Sequence, residues 1–149
     1  MIVYQATQAD LKGVAPLFDQ YRVFYEQPSD LPGAQQFLLE RLIRQDSVLF
    51  VAVAEGEYLG FTQLYPSFSS VSMQHTWILN DLFVSSGSRG QGIATKLMEK
   101  AKEYAIATGA KSLSLQTAQS NLSAQRLYES QGYVKDEEFY SYELLLGEK

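Results

Sequence analysis

Apolar positions recur at two spacings along this chain, and the spacing changes near residue 48. The opening "IVYQA" reads as a short strand over 2–6. Thr7 or Asp10 then offers a side-chain oxygen to cap a helix. Val14, Leu17, Phe18, Tyr21, Phe24 and Tyr25 follow at intervals of three and four, the period of one helix face. "QPSDLPG", with two prolines and a glycine, breaks that pattern. A second helix is expected over Ala34–Arg44, where Phe37, Leu38, Arg41 and Leu42 share a face.

From Ser47 onward the residues become β-branched and aromatic. "SVLFVAVAEGEYLGFTQLYPSF" reads as a hairpin turning at Glu55-Gly56-Glu57. "HTWILNDLFV" gives a further strand over Thr76–Val84. A glycine-rich loop follows, then a helix to about Thr108 stopped by Gly109. That helix turns Ile93, Leu97, Ala101, Tyr104 and Ala105 inward. "KSLSLQT" is expected as a strand, "NLSAQRLYESQG" as a short helix ended by Gly132, and "YVKDEEFYSYELLL" as one or two closing strands. The order is β-α-α-β-β-β-α-β-α-β-β. Alternation in the second half implies a parallel strand pair, and the hairpin implies antiparallel ones. The expected fold is therefore α/β, a mixed central sheet with helices on both faces, in one domain over 1–149.

Composition narrows the chemistry. With no cysteine, the chain has no disulfide, no thiol nucleophile and no thiolate metal site. A single histidine, His75, argues against a histidine-rich metal centre or a Ser-His-Asp triad, so no metal is expected. The net charge of −5 argues against a nucleic-acid partner, because phosphate neutralisation needs a basic face. Acidity suits a cationic acceptor such as an amine. The first residues lack a basic n-region, and no apolar window is long enough to span a bilayer, so a cytoplasmic protein without membrane contact is expected.

The sharpest local signal is "SSGSRGQGIATKLMEKAKEYA", residues 85–105. The first backbone N–H groups of a helix lack internal partners and sit at its positive end. Glycines let backbone approach a ligand closely, so such a loop is an anion site. The Walker pattern fails, because Ile93 stands where lysine is required. The Rossmann fingerprint fails at Thr95. Arg89-Gly90-Gln91-Gly92-Ile93-Ala94 instead reads R-x-x-G-x-A. It resembles the coenzyme-A loop of the GCN5-related N-acetyltransferases (GNAT). "LNDLFV" upstream resembles that family's central strand. Asn121, Ala124, Tyr128, Gly132 and Tyr133 resemble its N-x-x-A-x-x-x-Y-x-x-x-G-[FY] segment. The strong resemblance spans Leu79 to Tyr133, and the element order carries it over nearly the whole chain.

The resemblance implies an N-acetyltransferase using acetyl-CoA and moving the acetyl group to a primary amine of a small molecule or peptide by direct attack on the thioester. A silent coenzyme-binding module of the same fold is the alternative. It implies that Leu82, Phe83 and Val84 hold the pantetheine arm through their backbone. Arg89, Gly90, Gln91, Gly92, Ile93, Ala94 and Thr95 would wrap the pyrophosphate, with Lys96 and Arg126 as further candidates. A backbone N–H from Phe83 or Val84 would serve the oxyanion. Tyr128 would be the general acid for the departing thiolate, since a phenol titrating near about pH 10 is protonated at neutrality. Asn121 would position pantetheine or acceptor.

The base is less direct. Presenting an alkylamine in neutral form at pH 7 costs about 4–5 kcal/mol. Some relatives, polyamine acetyltransferases among them, carry glutamate in the corresponding strand. Here Asn80 stands there, and it cannot take a proton. Asp81 is next, and strict alternation along a strand turns it away from Asn80. Glu26 or a water relay is the other source. Tyr21, Phe24 and Tyr25 are candidates for an aromatic acceptor wall, with Glu26 and Asp30 attracting a cation. The chain also resembles the branch of small histone- and polyamine-directed enzymes, which often pair as homodimers, and "FYSYELLL" is the candidate interface strand.

Overall fold

The structure is a computed structural model describing residues 1–147. The chain divides into two compact units, Met1–Gln116 and Thr117–Lys149. The first unit contains β1 (Ile2–Gln5), α1 (Leu11–Phe24), α2 (Leu31–Arg44), β2 (Val48–Ala54), β3 (Glu57–Ser69), β4 (Gln74–Val84), α3 (Ile93–Ala107) and β5 (Leu113–Ser114). The second contains α4 (Leu122–Ser130).

The five strands lie in the order β1-β2-β3-β4-β5. The first three pairings are antiparallel, and β5 joins β4 in parallel after the α3 crossover. Residues along a strand point alternately to the two faces. On one face Leu49, Val51, Phe61 and Phe83 meet Val14, Leu17 and Phe18 of α1 and Ala34 and Leu38 of α2. On the other, Phe50 and Trp77 pack their rings against Tyr104 of α3. Ile93, Leu97, Met98, Ala101 and Ala105 form the buried stripe of α3. A Cβ at Gly60 would lie 2.8 Å from the Phe83 carbonyl and 3.3 Å from both Ile93 and Leu97. A bare backbone there lets the first turns of α3 sit against the end of β4.

Local chemistry fixes the α1 and α2 termini. Thr7 accepts from the Ala9 N–H at 3.3 Å, while Asp10 accepts from the Thr7 N–H at 2.9 Å. The Asp10 carboxylate also accepts from Tyr4 and Tyr58, each at 2.6 Å. Burial pushes that carboxyl up, but the three donors outweigh it and hold it below its usual range. Asp19 on α1 accepts from the Ser29 hydroxyl at 2.6 Å and from the Asp30 N–H at 2.7 Å. These two donors hold the Asp19 carboxyl below its usual range and pin the α1–α2 connection. Asp30 then caps α2 through the Gly33 N–H at 3.0 Å.

Nine elements appear in the expected order, with three differences. α2 starts at Leu31 rather than Ala34, because Pro32 and Gly33 belong to its first turn. Proline is well tolerated there, where no N–H is needed. The strand expected in "KSLSLQT" is reduced to Leu113–Ser114. The closing strands expected over "YVKDEEFYSYELLL" are not formed among the described residues up to Gly147. Apolar alternation alone does not make a strand, since the ladder also needs a paired neighbour. Phe139, Tyr140, Tyr142, Leu144, Leu145 and Leu146 are accordingly exposed.

Candidate active site

Three features of the first unit converge at the end of β4. The first is an open strand edge. β4 pairs with β3 from Gln74 to Val84, but with β5 only at Trp77 and Ile78. From Leu79 to Val84 the edge facing β5 has no strand partner among the described residues. Leu82, Phe83 and Val84 lie on this stretch. Arg89 folds back onto its end, donating from Nε to the Val84 carbonyl at 3.2 Å. The guanidinium carbon sits 5.7 Å from the ring centroids of both Phe24 and Phe83.

The second feature is the helix start that follows. Gly90 and Gly92 adopt φ of +79° and +77°, the left-handed region that glycine enters at no cost. Gly92 is the N-cap of α3 and supplies no side-chain acceptor. The leading N–H groups of a fifteen-residue helix are thus left for a ligand. Space beside both glycines is open. Ile93 is buried under the turn and anchors it, while Gln91 is exposed and Ala94 and Thr95 are half-buried.

The third feature is a buried polar cluster on the α1 face. Asp81 is 6% exposed and Gln63 fully buried. A register shift in the β3–β4 ladder pairs Gln63 with Asp81 and Leu64 with Leu79, leaving Asn80 as a bulge. The bulge corrects the expectation of strict alternation. Leu79 faces α3 with Leu64, yet Asp81, two residues on, shares the α1 face with Gln63. Asn80 is exposed, but its Nδ2 reaches back to donate to Asp81 Oδ1 at 3.1 Å. Gln63 Nε2 donates to Asp81 Oδ2 at 3.0 Å, and the Thr62 hydroxyl donates to the Asp81 carbonyl at 2.7 Å. Tyr21 of α1 faces the same carboxylate. Burial, first, and the Asp81 charge, second, push its phenol far above the ordinary range, so it stays a donor. Burial and Asp81 also push Tyr65 up to about 12.

The aromatic side chains expected to form an acceptor wall pack on one another and on the core. Tyr21 packs edge-on against Tyr25 (5.2 Å), Phe61 (5.6 Å) and Phe83 (5.8 Å). Phe24 and Tyr25 are more than half exposed. Glu26 is exposed just past α1 at φ +66°, and no hydrogen bond joins it to the cluster. His75 is explained by structure: its Nε2–H donates to the Thr108 carbonyl at 2.8 Å. No group of acidic or histidine side chains suited to a metal ion occurs among the described residues.

In the second unit, Asn121 is the N-cap of α4, its Oδ1 accepting from the Ala124 N–H at 3.1 Å. Tyr128 lies on α4, and its ring is 6.2 Å from that of Tyr133. The Tyr133 hydroxyl is buried with no hydrogen-bond partner among the described residues, and burial pushes it up to about 12. Sequence reasoning missed Gln63, Ser47 and Tyr65. The signal was present: Thr62 and Gln63 interrupt the apolar strand run "LGFTQLY", an unfavourable place for an amide unless it is paired.

The sequence matches a known family along most of its length. The pattern of the acetyltransferase (GNAT) family matches residues 14–133, and the chain belongs to that family. The match crosses from the first unit into the second. The chain is 51% identical over 142 residues to an uncharacterized N-acetyltransferase, YhfO, of Bacillus subtilis, covering 95% of each chain. It is 32% identical over 148 residues to a probable acetyltransferase of Haemophilus influenzae, covering 99% of each. A crystal structure of a probable acetyltransferase superposes with a TM-score of 0.95 at 42% identity over the full length of both chains. The protein is an N-acetyltransferase.

Proposed function

We propose that the protein transfers the acetyl group of acetyl-CoA to the primary amine of a small molecule or peptide, with the amine attacking the thioester directly. The observation that carries this reading is the open edge of β4 running straight into the uncapped start of α3. An extended amide-bearing arm can add to that edge as a strand would. The pyrophosphate then meets the N–H groups from Gly90 to Thr95, where each charged hydrogen bond contributes about 1.5–3 kcal/mol. A backbone N–H of Phe83 or Val84 serves the oxyanion.

Asp81 is the base. Its carboxylate lies in the α1-face cluster, and a proton can reach it directly or through one water. The adjoining aromatic face of Tyr21, Phe24 and Tyr25 suits an alkylammonium by cation–π attraction. Tyr128 protonates the departing thiolate. Asn121 spends its carbonyl oxygen on capping α4, so its NH2 is the group that positions pantetheine or acceptor.

Calorimetric titration with acetyl-CoA, followed by a thiol-release assay on an amine panel, tests the reading. A stoichiometric site with amine-dependent turnover is expected. A site without turnover on any amine leaves a coenzyme-binding module; absence of a site refutes the proposal. Asp81→Asn is expected to lower kcat/KM by about 10²- to 10⁴-fold, while Glu26→Gln leaves the pH profile unchanged.

A further inference from the structure

Gln63 has no counterpart among the site residues expected from the sequence, yet it is a fully buried polar side chain that touches the Asp81 carboxylate. It sits inside β3, fully buried, between Phe61 and Leu64. Its amide cannot be turned round. Nε2 must face the Asp81 carboxylate, because Oε1 in that place would set two acceptors against each other at 3.0 Å. Oε1 then faces Ser47 at 2.8 Å, and the Ser47 hydroxyl must donate to it. Nε2 also lies 3.4 Å from the Tyr65 hydroxyl. The result is a chain of donors pointing one way, from Ser47 through Gln63 to Asp81 Oδ2. Asn80 occupies Oδ1 from the solvent side.

We propose that Gln63, backed by Ser47, is a positioning residue that fixes the orientation and protonation state of the Asp81 carboxylate for its work on the acceptor amine; this rests on Asp81 being the base. A neutral donor is what such a place needs. A hydrogen bond to the carboxylate favours its charged form, the form that takes a proton. Arginine or lysine would neutralise the charge meant for the substrate ammonium. A hydrophobic side chain would deprive the buried Asp81 Oδ2 of its Gln63 donor. The groups that share this field are Tyr21 from α1, Tyr65 from β3, and the Arg41–Asp46 ion pair (2.8 Å) between α2 and the start of β2. The first two are phenols that remain neutral through the working range. The ion pair has no net charge. Asp81 is therefore the carboxylate of the cluster that the Gln63 amide touches.

The test is the pH profile of kcat/KM for the amine at saturating acetyl-CoA, measured on wild type, Asp81→Asn, Gln63→Met, Gln63→Glu and Ser47→Ala. Wild type is expected to show an acid limb that Asp81→Asn abolishes. Gln63→Met keeps the volume and removes the donor, and should move that limb to higher pH. Gln63→Glu should move it further, since two carboxylates in contact share one proton. Ser47→Ala should move it the same way by less. A variant that merely loosened the core would lower the whole curve without moving its midpoint. If Asp81→Asn abolishes the limb but both Gln63 variants leave it at the wild-type pH, the positioning role is overturned while the base assignment stands. If the limb survives in Asp81→Asn, the base assignment falls and the positioning role falls with it. Gln63→Glu is nearly isosteric and serves as the readout should Gln63→Met fail to fold.

Discussion

Replacing Gly92 by valine isolates what the glycine loop contributes. Gly92 stands at φ +77°, and a Cβ there would meet nothing within 4 Å. The penalty is therefore conformational rather than steric. Left-handed backbone costs a non-glycine residue about 1–2 kcal/mol, and a β-branched one lies at the upper end. The chain relieves that strain by rotating the residue before α3, which turns the first helical N–H groups off axis. Two separate readouts follow. Stability of the free protein should fall by up to about 2 kcal/mol, a drop in Tm of about 4–8 °C for a chain of this size. Affinity for acetyl-CoA should fall by the value of one misdirected charged hydrogen bond, about 1.5–3 kcal/mol, or roughly 10- to 150-fold in Kd. Calorimetry measures the second and a thermal melt the first. Gly92→Asn is the control, because asparagine tolerates the left-handed region, and it should bind within a few-fold of wild type. If Gly92→Val lowers Tm as calculated yet binds acetyl-CoA like wild type, the glycine serves only the turn and the pyrophosphate lies elsewhere.

Tyr128→Phe should lower turnover by about 10²-fold or more with acetyl-CoA affinity little changed, as stopped assays plus calorimetry would show; unchanged turnover removes Tyr128 from the mechanism. Asp10 makes a stability prediction. Its carboxyl is held below the usual range in the folded protein, so its contribution is present above the unfolded value of about 3.9 and is lost as pH falls through the folded one. Tyr58→Phe should thus cost about 1.5–3 kcal/mol in urea unfolding at pH 7, and the difference from wild type should shrink at the acid end; an equal loss at both ends refutes the assignment. The same clamp holds the Tyr4 and Tyr58 phenols above their ordinary range. Stability should therefore also fall as pH rises past about 10, and Asp10→Asn should blunt that fall.

The parts of this structure that could be read from the sequence are those written in contiguous residues. The α3 stripe from Ile93 to Ala105, the R-x-x-G-x-A loop and the two-residue turn at Glu55-Gly56 each carry their own geometry. The start of α2 was misplaced because Pro32 and Gly33 act as breakers in one context and as first-turn residues in another; the Asp30 cap decides which. The bulge at Asn80 depends on how β3 slides against β4, a relation between residues eighteen apart that no local pattern records. Gln63 was invisible for the same reason. Its partners, Ser47 and Asp81, lie sixteen and eighteen residues away. The closing strands fail in the opposite direction: alternation in "FYSYELLL" advertises a strand, but pairing is not a property of one segment.

Asn80 is the one position in the middle of β4 that answers to no ladder partner. Its neighbours are committed, Leu79 to the α3 side and Asp81 to the α1 side, and the extra residue absorbs the change of face. Deleting it would restore alternation and swing everything on one flank of the strand through half a turn, carrying an acid into the oil or a leucine into the chemistry. Exchanging its side chain would do neither. The sheet has in effect a tuning screw: a position whose side chain can change while the strand on either side of it keeps its face.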